Sequence, residues 1–139
     1  MIPKVLAYIV RNGSAGKELL VFRHLDHPDA GVQIPGGTID EGEAPLDALH
    51  REVHEETGLQ SIRVIKQVAK EPFHATWRNE WQERHVFHVE APPGSPDTWT
   101  HTVTAGLEDT GLIFVFSWMP LAGAAEMLQW GQGQWLDRL

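Results

Sequence analysis

The chain has 139 residues, no cysteine and a formal net charge of −8 at neutral pH. Its length and ordinary apolar content suit one domain, residues 1–139, with a hydrophobic core of its own. The lack of cysteine excludes disulfides and thiol chemistry, and the negative charge argues against binding a nucleic-acid polymer through its phosphates, which requires clustered lysine and arginine.

Two strands joined by a turn are predicted at the start of the chain. Residues 5–10 and 18–22 are apolar and β-branched, and residues 12–16 between them are turn formers, a pattern typical of a hairpin. The opening apolar run is far too short to cross a membrane and lacks the pattern of a signal peptide, so we expect a cytoplasmic protein. Arg23 closes the second strand and is a candidate to contact a phosphate of a substrate.

A helix is predicted from Pro45 to Thr57. Proline fits the first helical turn, where its missing N–H would be unpaired anyway, and Gly58 stands where a left-handed cap commonly ends a helix. Apolar residues at helical spacing form a stripe that should face the core: Leu46, Leu49 and Val53.

Three carboxylates lie on one flank of this predicted helix: Glu52, Glu55 and Glu56. Like charges at this spacing repel one another and destabilise the helix, so a compensating cation is expected nearby. Hard divalent cations such as Mg²⁺ prefer oxygen ligands, which they share with water and substrate phosphates. Taken alone, the run is equally compatible with a solvated acidic helix face.

Two other kinds of metal site fit the sequence less well than the acidic cluster. His50 and His54 are four residues apart, but a zinc peptidase helix would place glutamate directly after the first histidine or before the second, where Arg51 and Val53 stand. An EF-hand calcium loop also fails, because the acidic residues do not alternate along a loop. The oxygen-rich magnesium site is therefore favoured.

The segment before the helix is a tight, glycine-rich and acidic loop. Ile34-Pro35-Gly36-Gly37 is followed by Asp40-Glu41-Gly42-Glu43. Together with the helix it resembles the Nudix box: a glycine, five residues, Glu43, seven residues and the run Arg51-Glu52-Val53-His54-Glu55-Glu56-Thr57-Gly58-Leu59. The resemblance covers only residues 37–59 but agrees at every defined position.

This resemblance implies a hydrolase that acts on a nucleoside diphosphate linked to another group, with Mg²⁺, or Mn²⁺, and water. It also implies the Nudix α/β/α sandwich around a mixed sheet. Carried over to this chain, the metal ligands would be the Gly37 carbonyl, Glu52 and Glu56, with Glu55 as a further ligand, direct or through water. The base that activates the nucleophile stays open between these carboxylates and a residue elsewhere.

Arg51 is the one cation inside the acidic cluster. Its planar guanidinium suits bidentate pairing with carboxylates, so we predict that it holds Glu43 or Glu52 in place, as part of a catalytic set with Glu52, Glu55 and Glu56. An ordinary surface ion pair is the alternative.

Further strands are predicted over residues 62–69, 85–89 and 112–118, with a loop over 91–96 and a short helix after Pro120 through Gln129. Strands on both sides of the acidic helix suit the α/β class with a mixed sheet sandwiched by helices, which is also the fold that the resemblance implies.

Candidate substrate contacts come mainly from residues 73–85, which mix aromatic rings with cations and so are able to stack a base and hold phosphate. The predicted substrate-binding set is Arg23, Trp77, Arg78, Trp81 and Arg84. Trp99 and His101 are a further pair, although tryptophan more often fills a core than binds a ligand.

The sequence thus predicts a Mg²⁺-dependent Nudix pyrophosphohydrolase that acts on a small nucleoside diphosphate derivative. A Nudix-like nucleotide or metabolite sensor without turnover is the alternative, against which the intact glutamate set speaks. An enzyme resembling isopentenyl-diphosphate isomerase would need a reactive cysteine, which the chain lacks. A homodimer is compatible with the family, but the sequence indicates no partner surface, and it leaves the substrate and the number of metal ions open.

Overall fold

The computed structural model describes residues 1–106 and 110–139. In these residues one α-helix, α1, spans Pro45–Thr57. The strands are β1 Ile2–Gly13, β2 Gly16–His24, β3 Gly36–Thr38, β4 Arg63–Ala75, β5 Glu80–Glu90, β6 Trp99–Thr102 and β7 Ile113–Pro120. Short 3₁₀ turns cover Pro28–Ala30, Thr76–Arg78, Ala124–Met127 and Leu136–Arg138.

All seven strands belong to one sheet, in the order β4-β5-β1-β2-β7-β6, with β3 paired to β1 off this path. The β1–β5 pair is parallel and the other pairs are antiparallel. The predicted α/β class with a mixed sheet is therefore confirmed, and the predicted β1–β2 hairpin is present with Gly13 opposite Gly16.

The sheet has an apolar layer on each face, because successive side chains of a strand point to opposite sides. On one face, residues of β1 pack under α1 in a cluster that includes Val5, Ala7, Ile9, Leu49 and Val53. On the other face, the alternate residues of β1 pack against the end of the chain in a cluster that includes Leu6, Tyr8, Val10, Trp135 and Leu136.

The segment after Pro120, which covers the sheet face opposite α1, does not form the predicted short helix. Only Ala124–Met127 is helical there, as a 3₁₀ turn, and the rest of the segment is a chain of turns. Gly123 and Gly131 adopt left-handed backbone conformations, with φ of +82° and +68°, which end a regular helix. Buried Trp135 and Leu136 nevertheless anchor this segment to the sheet.

The β4–β5 pair is longer than the predicted strands over residues 62–69 and 85–89. The two strands continue past the core and are joined by the 3₁₀ turn Thr76–Arg78 and Asn79, at φ +48°. Many side chains in this extension are polar and partly exposed, so the apolar pattern that marks a strand fades before the strand ends. None of the helices in residues 1–106 and 110–139 combines the length and apolar content needed to cross a membrane.

Candidate active site

The acidic helix has the predicted bounds, Pro45 to Thr57. Gly58 follows in the left-handed conformation, and its N–H donates to the His54 carbonyl, which ends the helix. The buried side chains Leu49 and Val53 fix the helix to the sheet. Because the helix is fixed on that face, its carboxylates project from a defined flank.

Strand β3 brings the glycine loop against the helix carboxylates. It pairs with β1, with Gly37 opposite Val5. The Gly36 N–H donates to Glu56 Oε1 at 2.8 Å, and the Glu56 side chain is only 4% exposed. A Cβ added at Gly37 would overlap the carboxylate of Glu52. The structure thus gathers Gly37, Glu52 and Glu56, three of the four predicted metal ligands, at one place.

Arg51 lies among the glutamates and contacts several of them. Its Nε and Nη2 donate to the two oxygens of Glu43, each at 2.8 Å. Its Nη1 donates to Glu52 Oε1 at 3.0 Å and to Glu55 Oε2 at 3.3 Å. The Nη2 atom also reaches the Thr38 carbonyl, next to Gly37, at 3.1 Å. Arg51 therefore ties the helix, the acidic loop and β3 together.

The contact between Arg51 and Glu43 shifts the pKa values of both side chains. Hydrogen bonds from Arg51, followed by one from the Asp40 N–H, lower the pKa of Glu43 to about 2. Hydrogen bonding to Glu43 is the main cause of a raised pKa of Arg51. Both groups stay ionised at neutral pH, so the bidentate contact is a charged one.

The carboxylates Glu43, Glu52 and Glu55 are arranged around the Arg51 guanidinium rather than around a common position for a metal ion. Among residues 1–106 and 110–139, no group of three or more His, Asp or Glu side chains is placed to hold a metal ion. Glu52 and Glu55 accept hydrogen bonds from Arg51, and Glu56 accepts one from the Gly36 N–H. The available ligand atoms nevertheless suit Mg²⁺ chemically, since they are carboxylate oxygens beside the backbone of Gly37. A side chain at position 37 would occupy the space next to these oxygens.

A cavity of about 230 Å³ opens beside this acidic cluster. Gly36, Gly37 and Glu56 form part of its wall. The remaining wall is cationic, aromatic and amide-bearing, and includes Lys4, Arg78, Arg84, Phe22, His24, Phe114, Trp77, Trp130, Gln33, Gln82 and Gln132. Such a lining can contact phosphate, a flat ring and the polar edge of that ring.

A larger groove of about 840 Å³ lies around the β1–β2 hairpin, at the other end of β1. Arg11, Lys17, His88 and Glu90 line it, and none of the helix carboxylates does. Because the acidic cluster borders the smaller cavity, we place the candidate active site there despite its smaller volume.

Three of the five predicted substrate contacts line the smaller cavity: Trp77, Arg78 and Arg84. Arg23 does not, although its neighbours Phe22 and His24 do, because alternation along β2 turns its side chain to the opposite face. Trp81 also lies outside the lining. It is 55% exposed and stacks on His74, with ring centroids 4.7 Å apart.

Trp99 and His101, the further pair, contact the end of α1 rather than the cavity. The Trp99 indole N–H donates to the Thr57 carbonyl at 2.9 Å, and His101 Nε2 lies 3.0 Å from the Glu55 carbonyl. The last carbonyls of a helix have no partner within the helix, so strand β6 satisfies two of them.

Lys4, Trp130 and Gln132 line the cavity but were missed by sequence reasoning. Lys4 sits in an apolar strand and donates to Thr38 Oγ1 at 2.7 Å, and burial is the main cause of its lowered pKa. Trp130 and Gln132 are far from the box in sequence. The Trp-Gly pair at 130–131 was the one available signal, since glycine often marks a special backbone conformation.

Known proteins resemble this chain in sequence and fold. An RNA pyrophosphohydrolase of Bartonella quintana (strain Toulouse) is 49% identical over 53 residues, which are 37% of this chain and 31% of that protein. One of Helicobacter pylori (strain G27) is 57% identical over 50 residues, 36% of this chain and 32% of that protein. The match therefore spans about a third of the length of these relatives.

A crystal structure of a C. elegans Ap4A hydrolase binary complex superposes with a TM-score of 0.72 at 16% identity, covering 99% of this chain and 94% of that one. At this identity the likeness concerns the fold. The family model described as the NUDIX domain matches residues 2–139. The chain belongs to the NUDIX domain family.

Proposed function

We propose that the chain is a Mg²⁺-dependent Nudix pyrophosphohydrolase that cleaves a nucleoside diphosphate linked to another group by attack of water. The observation that carries the proposal is that Gly37 and Glu56 line a cavity with cationic and aromatic walls, while the Glu52 carboxylate packs against Gly37. Residues 1–139 would act as one domain, and a homodimer and a cytoplasmic location stay predictions.

The proposed metal ligands are the Gly37 carbonyl, Glu52 and Glu56, with Glu55 direct or through water. A bound Mg²⁺ or Mn²⁺ would neutralise the pyrophosphate and lower the pKa of a bound water. Glu52 and Glu55 now accept hydrogen bonds from Arg51, so binding a cation would need only a local reorientation of these carboxylates. Arg51 would stay hydrogen-bonded to Glu43, and this contact would hold the acidic loop against the helix.

The phosphates of the substrate would lie near Lys4 and Arg78. Lys4 bonds to Thr38, the residue after Gly37, so its ammonium group is at the acidic end of the cavity. Arg78 lines the same cavity and presents a guanidinium, which pairs well with phosphate oxygens. These cations would bind and orient the substrate, while the identity of the base stays open among Glu52, Glu55, Glu56 and a residue elsewhere.

A second candidate substrate is the 5′ phosphorylated end of an RNA, because two relatives with 49% and 57% identity over part of the chain are named RNA pyrophosphohydrolase. The net charge of −8 argues against extended contact with a polymer backbone. A terminal nucleotide could still enter the cavity without such contact.

The test is a hydrolysis screen with Mg²⁺ and with Mn²⁺. The panel contains nucleoside triphosphates, nucleotide sugars, ADP-ribose, dinucleoside polyphosphates, coenzyme A and an RNA oligonucleotide with a 5′ triphosphate. Mass analysis of products formed in ¹⁸O-labelled water identifies the substrate and the phosphorus that is attacked. We expect metal-dependent cleavage of a pyrophosphate bond, and the Glu56→Gln variant should abolish it.

Failure of the whole panel, with Mg²⁺ binding measured directly by calorimetry, would overturn the hydrolase proposal. The sensor without turnover would then be favoured, and ligand binding without product would support it.

A further inference from the structure

Arg84 is a buried cation on the cavity wall. Its side chain is 4% exposed, and within residues 1–106 and 110–139 no carboxylate forms an ion pair with it. Its Nε donates to Gln82 Oε1 at 3.0 Å and its Nη1 to the Trp130 carbonyl at 2.8 Å. Burial lowers the pKa of Arg84 to about 10. A buried charge balanced only by neutral acceptors favours a further acceptor from a ligand.

An aromatic ring covers this guanidinium, and a chain of ring contacts leads from it to the two indoles of the cavity lining. The guanidinium carbon lies 3.6 Å from the centroid of the Phe73 ring. Phe73 is 5.9 Å from Trp77, and Trp77 is 4.7 Å from Trp130. Trp77 and Trp130 are 43% and 37% exposed, so both present ring surface to solvent. Because the two indoles touch, a flat ligand would stack on the pair rather than between its members.

The backbone that carries Trp130 is held in a special conformation. Trp130 and Gly131 have φ of +63° and +68°, and a bulky residue rarely adopts the left-handed region. A Cβ at Gly131 would overlap the Phe73 ring. The Arg84 bond to the Trp130 carbonyl and the Ile34 N–H bond to Gln132 Oε1, at 2.9 Å, fix the segment on both sides. The wall is therefore built before any ligand arrives.

We propose that this wall is a base-binding subsite that selects guanine, whose ring stacks on Trp77 and Trp130 and whose O6 and N7 accept hydrogen bonds from Arg84. Arginine is a donor only, and guanine offers two adjacent acceptors on that edge. Adenine places an amino group at the position of O6, which leaves two donors facing each other. This inference rests on the proposed function, since it assigns the base of the same substrate.

Arg84 suits a base better than a phosphate because of its surroundings. Two of its N–H groups are already used by Gln82 and Trp130, and an aromatic ring covers one of its faces. A phosphate has several anionic oxygens, and most of them would lack a hydrogen-bond donor beside Arg84. Lys4, next to Thr38, offers a more open cation at the acidic end of the cavity.

The experiment compares guanine with adenine in two ways. An equimolar mixture of GTP, ATP, UTP and CTP is hydrolysed with Mg²⁺, and the ratio of kcat/KM values is obtained from the products. In parallel, GMP and AMP are titrated by calorimetry in the presence of EDTA, where no hydrolysis takes place. We expect GTP and GMP to be preferred over ATP and AMP by about tenfold or more.

Three variants locate the effect. Arg84→Lys keeps the charge but removes the planar fork, so the guanine preference should fall towards one, mainly through KM. Trp130→Phe reduces the stacking surface and should weaken GMP and AMP alike. Trp118→Phe is the matched control, since Trp118 lies over Arg11 beside the hairpin, away from this cavity, and should keep the wild-type ratio.

The outcomes separate the two proposals. Hydrolysis with no base preference, or with preference for adenine, overturns the guanine subsite and leaves the hydrolase intact. Tighter binding of GMP than of AMP supports the subsite even if no triphosphate is hydrolysed, and the hydrolase is overturned only if every substrate of the wider screen also fails. If Arg84→Lys does not fold, as judged by circular dichroism, the wild-type ratios decide alone. A folded Arg84→Lys variant with the wild-type ratio would also overturn the assignment.

Discussion

Gly37 and Glu52 approach so closely that a Cβ at position 37 would overlap the Glu52 carboxylate. Gly37 lies on β3 opposite Val5, and its φ is not among the positive values, so its backbone conformation is open to other residues. The glycine is therefore required by space and not by conformation. This space lies between the Gly37 backbone and the Glu52 carboxylate, and both are proposed ligands of the same metal ion.

Replacing Gly37 with alanine should displace Glu52 while leaving the fold intact. Because catalysis depends on the placement of reacting groups to within about 1 Å, we expect kcat to fall by roughly 10²-fold. The measurement is steady-state kinetics on the substrate found in the screen, with circular dichroism to confirm folding. Gly13→Ala is the matched control, because its Cβ would meet the Glu18 side chain in the hairpin far from the cavity. Equal losses in both variants would contradict the special role of Gly37.

Replacing Glu56 with glutamine should abolish hydrolysis and preserve the fold. The glutamine oxygen can still accept the Gly36 N–H, so the buried contact is kept while the negative charge is lost. Loss of a charged metal ligand should lower kcat by at least about 10³-fold and weaken Mg²⁺ binding. Calorimetric titration with Mg²⁺ and kinetics check both effects.

Glu41→Gln serves as the control for Glu56→Gln, since it removes an exposed carboxylate of the loop before the helix. A Glu56→Gln variant with full activity would show that the metal assignment is wrong.

The stability of the protein should decrease in acid partly through Glu43. Contact with Arg51 lowers the pKa of Glu43 from its ordinary value near 4.5 to about 2. A carboxylate whose pKa is lower in the folded chain stabilises the fold above its unfolded-state pKa. This contribution is lost as the pH falls from about 4.5 towards 2. The difference in unfolding temperature between wild type and Glu43→Gln should thus be largest near neutral pH and shrink in that window.

Thermal unfolding at a series of pH values measures this difference. Glu41→Gln controls for the change in net charge. A difference between wild type and Glu43→Gln that stays constant from neutral pH to pH of about 2 would contradict the role of the Arg51 contact.

Local signals in the sequence were enough for the helix and for the parts near it. Pro45, Gly58 and the spacing of the glutamates are contiguous, and the helix and the family prediction are confirmed. The metal ligands and the base stay predictions. The residues that the sequence missed in the cavity depend on distant contacts: Lys4 comes from β1 and Trp130 from the end of the chain. No local pattern brings residues 4 and 130 together.

Strand alternation explains the difference between the predicted and observed cavity lining. The charge of Arg23 and its position at a strand end predict a phosphate contact, but the face on which Arg23 lies depends on the register of β2 with β7, where it pairs with Val115. Trp81 belongs to the same aromatic stretch, but it lies on the face opposite to that of Gln82 and Arg84, which are one and three positions away along β5. The predicted short helix near the end of the chain depended on composition alone, and the glycines there override it.

Trp99 should support α1 rather than bind substrate. Its indole N–H caps the Thr57 carbonyl, and its ring stacks on Phe116 with centroids 4.9 Å apart. Trp99→Phe would keep a ring there but leave a carbonyl at the helix end without this donor. We expect the free energy of unfolding to fall by about 1–3 kcal/mol, with KM unchanged. Urea unfolding and steady-state kinetics measure the two quantities.

Trp81→Phe is the control for this stability measurement, because Trp81 is largely exposed and its ring stacks on His74 at the surface. Its free energy of unfolding should change by less than about 0.5 kcal/mol. Both variants replace an indole by a smaller ring. They differ because only Trp99→Phe removes a hydrogen bond to a helix carbonyl. A rise in KM for Trp99→Phe without loss of stability would instead assign Trp99 to the substrate, and would require that strand β6 forms part of the binding site.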